Sequence, residues 1–251
     1  IARLAECGMV LVHNRWKNEL IHMSPRLLFV KNKLLLSDFI KISGPVILNE
    51  VLWGVGMSAT AAILGQMGSE AASANAIVQV VRQLATVVSF GIASATAITV
   101  GKAIGEGKKE LAREYGSRFV KIIAVSGAAG SLVVLIVRPI TMAVMELTPT
   151  AREYLSIMML FMAAYVWVQA FNTLQVVGIF RGGGDTRFGL LLEIVGLWGC
   201  SVLLGSAAAF LLKLPVPVVF AVILLDEYVK LPLIIHRYRT YKWLRDVTRE
   251  V

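Results

Sequence analysis

The stretch FRGGGDTRFG, residues 180–189, sets three glycines, two arginines and an aspartate between two strongly apolar runs. Stretches rich in glycine and basic residues serve either as loops that cradle phosphate or as tight turns. A phosphate loop of the P-loop kind needs a Gly-Lys-Ser/Thr ending after a strand. Here Asp185 stands where that lysine would be useful, and no strand precedes it. The turn reading accounts for each residue. Gly182, Gly183 and Gly184 can take the positive φ that ends a helix. Arg181 complements the negative C-terminal end of the preceding helix, and Asp185 or Thr186 caps the following one. Arg187 adds positive charge on the same side. The stretch is expected to be a helix–turn–helix corner.

The flanking runs show what kind of helices meet there. Of 251 residues, 57% are hydrophobic and 16% charged, whereas about a quarter of a soluble domain is charged. Six apolar spans, at 42–66, 72–101, 119–145, 153–180, 188–212 and 214–235, match the roughly 20 residues that cross a hydrocarbon core. Glycine and alanine scattered through them favour close helix packing. The expected fold is therefore all-α and integral to the membrane: a six-transmembrane-helix bundle over residues 42–235. Residues 1–13 read as the end of a preceding transmembrane helix, 14–41 as a basic inter-lobe linker, and 236–251 as a basic tail at the lipid surface.

The net charge of +9 is explained by topology rather than by a nucleic-acid partner. Of the 25 basic residues, 20 fall before the first span, between the second and third, in the 181–187 corner, or from Lys230 onward. Positive segments stay cytoplasmic, so a multi-pass protein of the plasma membrane with a cytoplasmic C-terminus is expected. An even number of spans means that a second such unit upstream would insert in the same orientation, giving two lobes related by an axis along the membrane normal. The start at Ile1, inside an apolar run, reads as a fragment or a half that needs an N-terminal lobe as partner.

The corner also carries a resemblance. GIFRGGGDTRFGLLLEIVGLWG, residues 178–199, closely resembles the loop between the tenth and eleventh helices of MATE (multidrug and toxic compound extrusion) transporters. In the same order, ISGPVILNEVLWGVG (42–56) is similar to the start of that family's seventh helix. ASATAITVGKAIGEGKKELAREYGSRFVKI (93–122) is similar to its eighth helix and the loop after it, and IARLAECGMVLVHNR (1–15) to the end of its sixth. The resemblance implies the C-terminal lobe of a twelve-helix, two-lobe secondary antiporter. Such a protein expels organic cations or other amphipathic small molecules in exchange for Na⁺ or H⁺, and needs no other cofactor. Its coupling glutamate in this helix would lie about one turn later, where this chain has Trp53.

Ionisable residues at membrane depth usually face a cavity or a partner. Glu50, beside Asn49 in the first span, is a candidate coupling-ion ligand or protonatable switch; equally, it could be paired with Arg82 or Lys41. Gln79, Arg82, Gln83 and Thr86 follow i, i+3, i+4, i+7 spacing and form one polar stripe, either lining a cavity or bonding between helices. In the fourth span Gln169, Asn172 and Thr173 share a face with Tyr165, an arrangement suited to cationic ligands, while Trp167 and Tyr165 could equally pack. Glu193 is expected to bridge to Arg187 or Arg181. Asp226 and Glu227 have the i+4 and i+3 spacing to Lys230 of local ion pairs.

Histidine and cysteine spacings fit neither a metal site nor a disulfide framework, and no histidine sits with a nucleophile at membrane depth. No enzyme is expected. The alternatives to drug export are a lipid-linked oligosaccharide flippase of the related superfamily, which would favour several cationic residues in the cavity, or a half that does not transport.

Overall fold

The computed structural model describes residues 2–17 and 33–245, and among them there is no strand. The chain falls into two units, Ile1–Lys41 and Ile42–Val251. In the first, α1 is Ala2–Lys17; residues 18–32 of the expected linker lie outside the described residues. Helix α2, Lys33–Gln66, begins earlier than the apolar count implies, because a helix can continue past the lipid boundary on polar residues.

In the second unit α2 is followed by α3 (Ser69–Gly105), α4 (Lys109–Val144), α5 (Pro149–Phe180) and α6 (Thr186–Leu211). Together with Ser43–Gln66 of α2, these make five helices long and apolar enough to cross a membrane. The sixth expected span takes a different form. It is two helices in succession, α7 (Val216–Ile223) and α8 (Leu225–Arg239), separated at Leu224. At about 1.5 Å per residue the eight residues of α7 are too short to cross alone. The turns widen to an i→i+5 pattern at Leu174–Phe180 and Ile194–Leu204, a geometry often found at functional positions.

A polar cap and left-handed glycines start and stop these helices. Thr148 accepts a hydrogen bond from the Ala151 N–H at 3.2 Å, with Pro149 in the first turn of α5. Its hydroxyl also donates to Glu70 at the start of α3. Gly68, Gly107 and Gly184 take positive φ at three of the turns. The α3, α4 and α5 helices pack on one another, and α8 packs on α5 and α6. Apolar residues form two cores. One is centred on Met158, Met162 and Phe220, the other on Ile123, Phe180 and Trp243. Along α5, Gln169 and Asn172 belong to neither core. Large apolar side chains such as Leu84, Val88, Ile98 and Leu132 are exposed on the outer faces, as befits helices solvated by hydrocarbon rather than water.

The 180–189 corner is a turn, but its residues work differently from the local expectation. Only Gly184 has a positive φ, 77°. Gly182 is needed because a Cβ there would sit 2.8 Å from the Ala97 carbonyl oxygen, and Gly183 because one would sit 2.1 Å from that of Trp243. Asp185 makes no side-chain cap. Its carboxylate, 1% exposed, accepts from Arg237 Nε at 2.7 Å and Nη2 at 3.0 Å and lies 3.3 Å from Arg245 Nη2. Residues 236–245 are accordingly folded back onto the corner, while 246–251 of the expected tail lie outside the described residues. Trp243 is fully buried, stacks on Tyr238 and donates to its carbonyl. The Arg245 N–H donates to Gly183 O at 3.0 Å. A buried carboxylate between two arginines is worth more than an exposed helix cap, so the tertiary contact prevails. Arg187 is exposed.

Candidate functional site

A cavity of about 370 Å³ opens among the helices of the second unit. Asn49 and Glu50 of α2, and Gln79, Arg82 and Gln83 of α3, all line it. So do Tyr165, Gln169, Asn172 and Thr173 of α5. The polar stripe of α3 thus turns inward. Thr86, the last member of that stripe, instead donates to the Arg82 carbonyl at 2.9 Å. Trp167 also stands apart: it is 49% exposed and its indole N–H donates to Ala124 O on α4 at 3.1 Å.

Glu50 sits at the rim with its side chain 54% exposed, and its carboxylate is paired with Arg181. The partner is thus Arg181 and neither Arg82 nor Lys41, the two weighed from the sequence. The pair also gives Arg181 a role other than complementing its own helix end. The bond ties α2 to the glycine corner. Next to it, Asn49 is buried and its Oδ1 has no partner. Arg82 is 9% exposed with its Nε unpaired, and Gln169 is 6% exposed with its Oε1 unpaired. Buried polar atoms are nearly always bonded, so a wall with this many open positions is suited to water, ions or a polar ligand.

The deepest charges were not read as a site from the sequence. Lys230 of α8 lies within 3.1 Å of Asp226 Oδ2, 3.2 Å of Glu227 Oε1 and 3.7 Å of Glu193 Oε2. The Glu193 bridge is therefore to Lys230, not to Arg187 or Arg181. Asn172 donates from Nδ2 to both the side chain and the backbone carbonyl of Glu227, each at 2.7 Å. The α7–α8 break explains the position of the acids. It puts Asp226 and Glu227 in the first turn of α8, where free N–H groups and the positive helix end favour carboxylates. Ser201 of α6 donates to the Ile223 carbonyl beside the break. That meets a backbone group that could not stay unbonded in lipid. The sequence signal was present, since three acids and a lysine at membrane depth are themselves unusual. Their local i+3 and i+4 spacing supplied a sufficient explanation and hid the cross-helix contacts.

In chemical terms, the cavity has an acidic wall (Glu193, Asp226, Glu227) neutralised in part by Lys230. A neutral amide and phenol face comes from α5, and the rim is closed by the Glu50–Arg181 pair. Such a site can bind and release cations; it contains no nucleophile–base pair.

Comparison with known proteins agrees with this architecture. The MatE family model matches residues 45–206. The chain is 25% identical over 171 residues to a probable multidrug resistance protein NorM of Xanthomonas campestris pv. campestris, covering 68% of this chain and 37% of that one. It is 28% identical over 156 residues to a NorM of Brucella suis, covering 61% and 33%. The chain thus spans well under half the length of these curated relatives. Its fold is similar to that of a MATE protein crystallised in the straight conformation, with a TM-score of 0.77, 16% identity, and coverage of 94% of this chain and 53% of that one. For the Vibrio cholerae MATE transporter VcmN in its bent form the TM-score is 0.74, with 17% identity and coverage of 84% and 48%. With well over half of its length matched by the family model, and with the Gly-Gly-Gly-Asp-Thr-Arg corner that suggested the kinship, this multi-pass membrane chain belongs to the MatE family.

Proposed function

We propose that this chain forms one lobe of a secondary transporter that exports amphipathic organic cations in exchange for inward movement of Na⁺ or H⁺. The observation that carries this reading is the cavity itself. It lies within a membrane bundle and is lined by the carboxylates of Glu50, Glu193, Asp226 and Glu227. Four acidic groups line it against three basic ones, Arg82, Arg181 and Lys230. Two of those bases are paired to the acids, which leaves a net negative wall suited to a cationic cargo. Tyr165 and the amides of Gln169 and Asn172 supply an uncharged face against which a flat cation can lie. The names of the NorM relatives support multidrug export.

In this reading the lobe pairs with an N-terminal lobe that closes the cavity, and rocking of the two opens it alternately to either side. The basic segments face the cytoplasm of a cell whose plasma membrane holds the protein. Glu50, with Asn49 beside it, takes up the coupling ion at the rim and in doing so releases Arg181. One charge moving through 100 mV supplies about 2.3 kcal/mol, enough for a roughly fortyfold gradient at tight coupling.

The test is efflux of a cationic dye from cells expressing the protein, with and without a cation gradient. Glu50→Gln is expected to abolish gradient-driven efflux while membrane insertion stays intact. Unchanged efflux in that variant would leave Glu50 a helix tie to Arg181 and nothing more. No gradient-dependent efflux in the unmodified protein would end the transport reading.

A further inference from the structure

The cluster around Lys230 has the form of an occupied cation site whose occupant belongs to the chain. Three carboxylates from two helices, Glu193 of α6 and Asp226 and Glu227 of α8, converge on one ammonium at 3.1 to 3.7 Å. The lysine side chain is 6% exposed. The oxygens exceed what the lysine can satisfy. Glu193 Oε1 and Asn172 Oδ1 are buried with no bonding partner, on residues 7% and 2% exposed, and both residues line the same cavity. Three acids against one base leave the cluster short of positive charge, and buried carboxylates without a counter-charge are costly. A cation is what this oxygen array lacks or already holds.

The neighbouring helix is cut to seat this side chain. A Cβ on Gly196 of α6 would fall 2.1 Å from Lys230 Cε, 2.9 Å from Cγ and 3.0 Å from Cδ. The aliphatic stem therefore lies directly against the α6 backbone, in a groove that only glycine at 196 leaves open. The groove leads the ammonium to the three carboxylates. A lysine on a helix surface making incidental i+3 and i+4 pairs would need neither the groove nor Glu193.

We infer that Lys230 is a tethered cation that fills a monovalent-cation site formed by Glu193, Asp226 and Glu227, and so keeps this site closed to free Na⁺. Its place in transport rests on the cation-coupled reading above, but the occupancy itself does not. If the full-length protein moved no dye, that reading would fail while the binding comparison below would be unaffected.

Removing the lysine should open the site. In Lys230→Ala the vacated slot has the length of a propyl chain ending in an ammonium, so n-propylammonium and Na⁺ are the probes and choline is the reference. Thermal unfolding midpoints of the purified protein in detergent are compared in the three chloride salts at matched ionic strength. In the unmodified protein any difference among the three salts reports the rim at Glu50 and other surfaces, and it sets the baseline. In Lys230→Ala the midpoint should rise in Na⁺ or n-propylammonium relative to choline, by about 3–6 °C at ten times the dissociation constant. A rise larger than that of the unmodified protein supports the inference. Equal rises, or none in either protein, overturn it. Should Lys230→Ala not fold, Gly196→Ala takes its place with Na⁺ as probe. It keeps the lysine charge but denies the stem its seat, and the same comparison decides.

Discussion

Replacing Asp185 with asparagine should free the C-terminal tail without disturbing the membrane bundle. Asp185 is 1% exposed and holds two arginines that come from different places, Arg237 at the end of α8 and Arg245 beyond it. Removing the charge from one side of a buried ion pair costs about 3–5 kcal/mol. Here the arginine side chains are 18% and 49% exposed and regain water, and asparagine still accepts one hydrogen bond. The expected loss is therefore about 2 kcal/mol, confined to the docked tail. Expressed as local opening, that is about a thirtyfold faster exchange of amide hydrogens in the segment. The Arg245 N–H reports it directly, because its bond to Gly183 O exists only while the tail is docked. Hydrogen exchange read by mass spectrometry on the C-terminal peptide provides the measurement. Peptides from the other core, around Met158 and Met162 of α5, should be unchanged. Tail exchange within about twofold of the unmodified protein would show that the glycine corner holds the tail by packing alone, and that Asp185 has been assigned the wrong task.

Other outcomes follow from the same contacts. Gly183→Ala should cost about 1–3 kcal/mol and release the tail as Asp185→Asn does, since its Cβ would meet the Trp243 carbonyl at 2.1 Å; chemical denaturation with the same exchange readout checks it. Trp243→Ala removes a fully buried indole and should cost about 3–5 kcal/mol, seen as a lowered unfolding midpoint. Trp167→Phe should leave dye efflux unchanged, because that ring is half exposed and outside the cavity. Tyr165→Ala should weaken the apparent affinity for the dye several-fold, consistent with loss of about 1 kcal/mol of cation–π contact.

Much of the architecture was legible from residue order alone. Apolar run length picked out the helices, and for α2 to α6 the expected spans coincide with them to within the polar extensions at their ends. The glycine corner was identified as a turn from what it lacks as a phosphate loop. The inward face of α3 followed from the spacing of Gln79, Arg82 and Gln83, because a polar stripe cannot face lipid. Less legible were the partners. Arg181 was credited with a helix end and Asp185 with a cap, since a local explanation was available for each, and both side chains instead reach across to other elements. Pro217 lies at the start of α7 and Pro232 inside α8, so no glycine or proline stands beside Leu224 to announce the break. Its cause is tertiary: Asp226, Glu227 and Lys230 must face α5 and α6, and Ser201 receives the carbonyl that the break leaves open.

That this chain crosses a membrane several times as packed helices, and which of its residues cannot face lipid, can be read from residue order. Those conclusions rest on one-dimensional quantities: the run length needed to span hydrocarbon and the cost of charge within it. Which polar groups meet is a matter of packing. Asn172 and Glu227 are 55 residues apart, and no local spacing encodes their contact or the seat that Gly196 makes for Lys230. A hydrogen bond or ion pair forms over about 3 Å, and that closeness is set by how α5, α6 and α8 pack, not by their order in the chain.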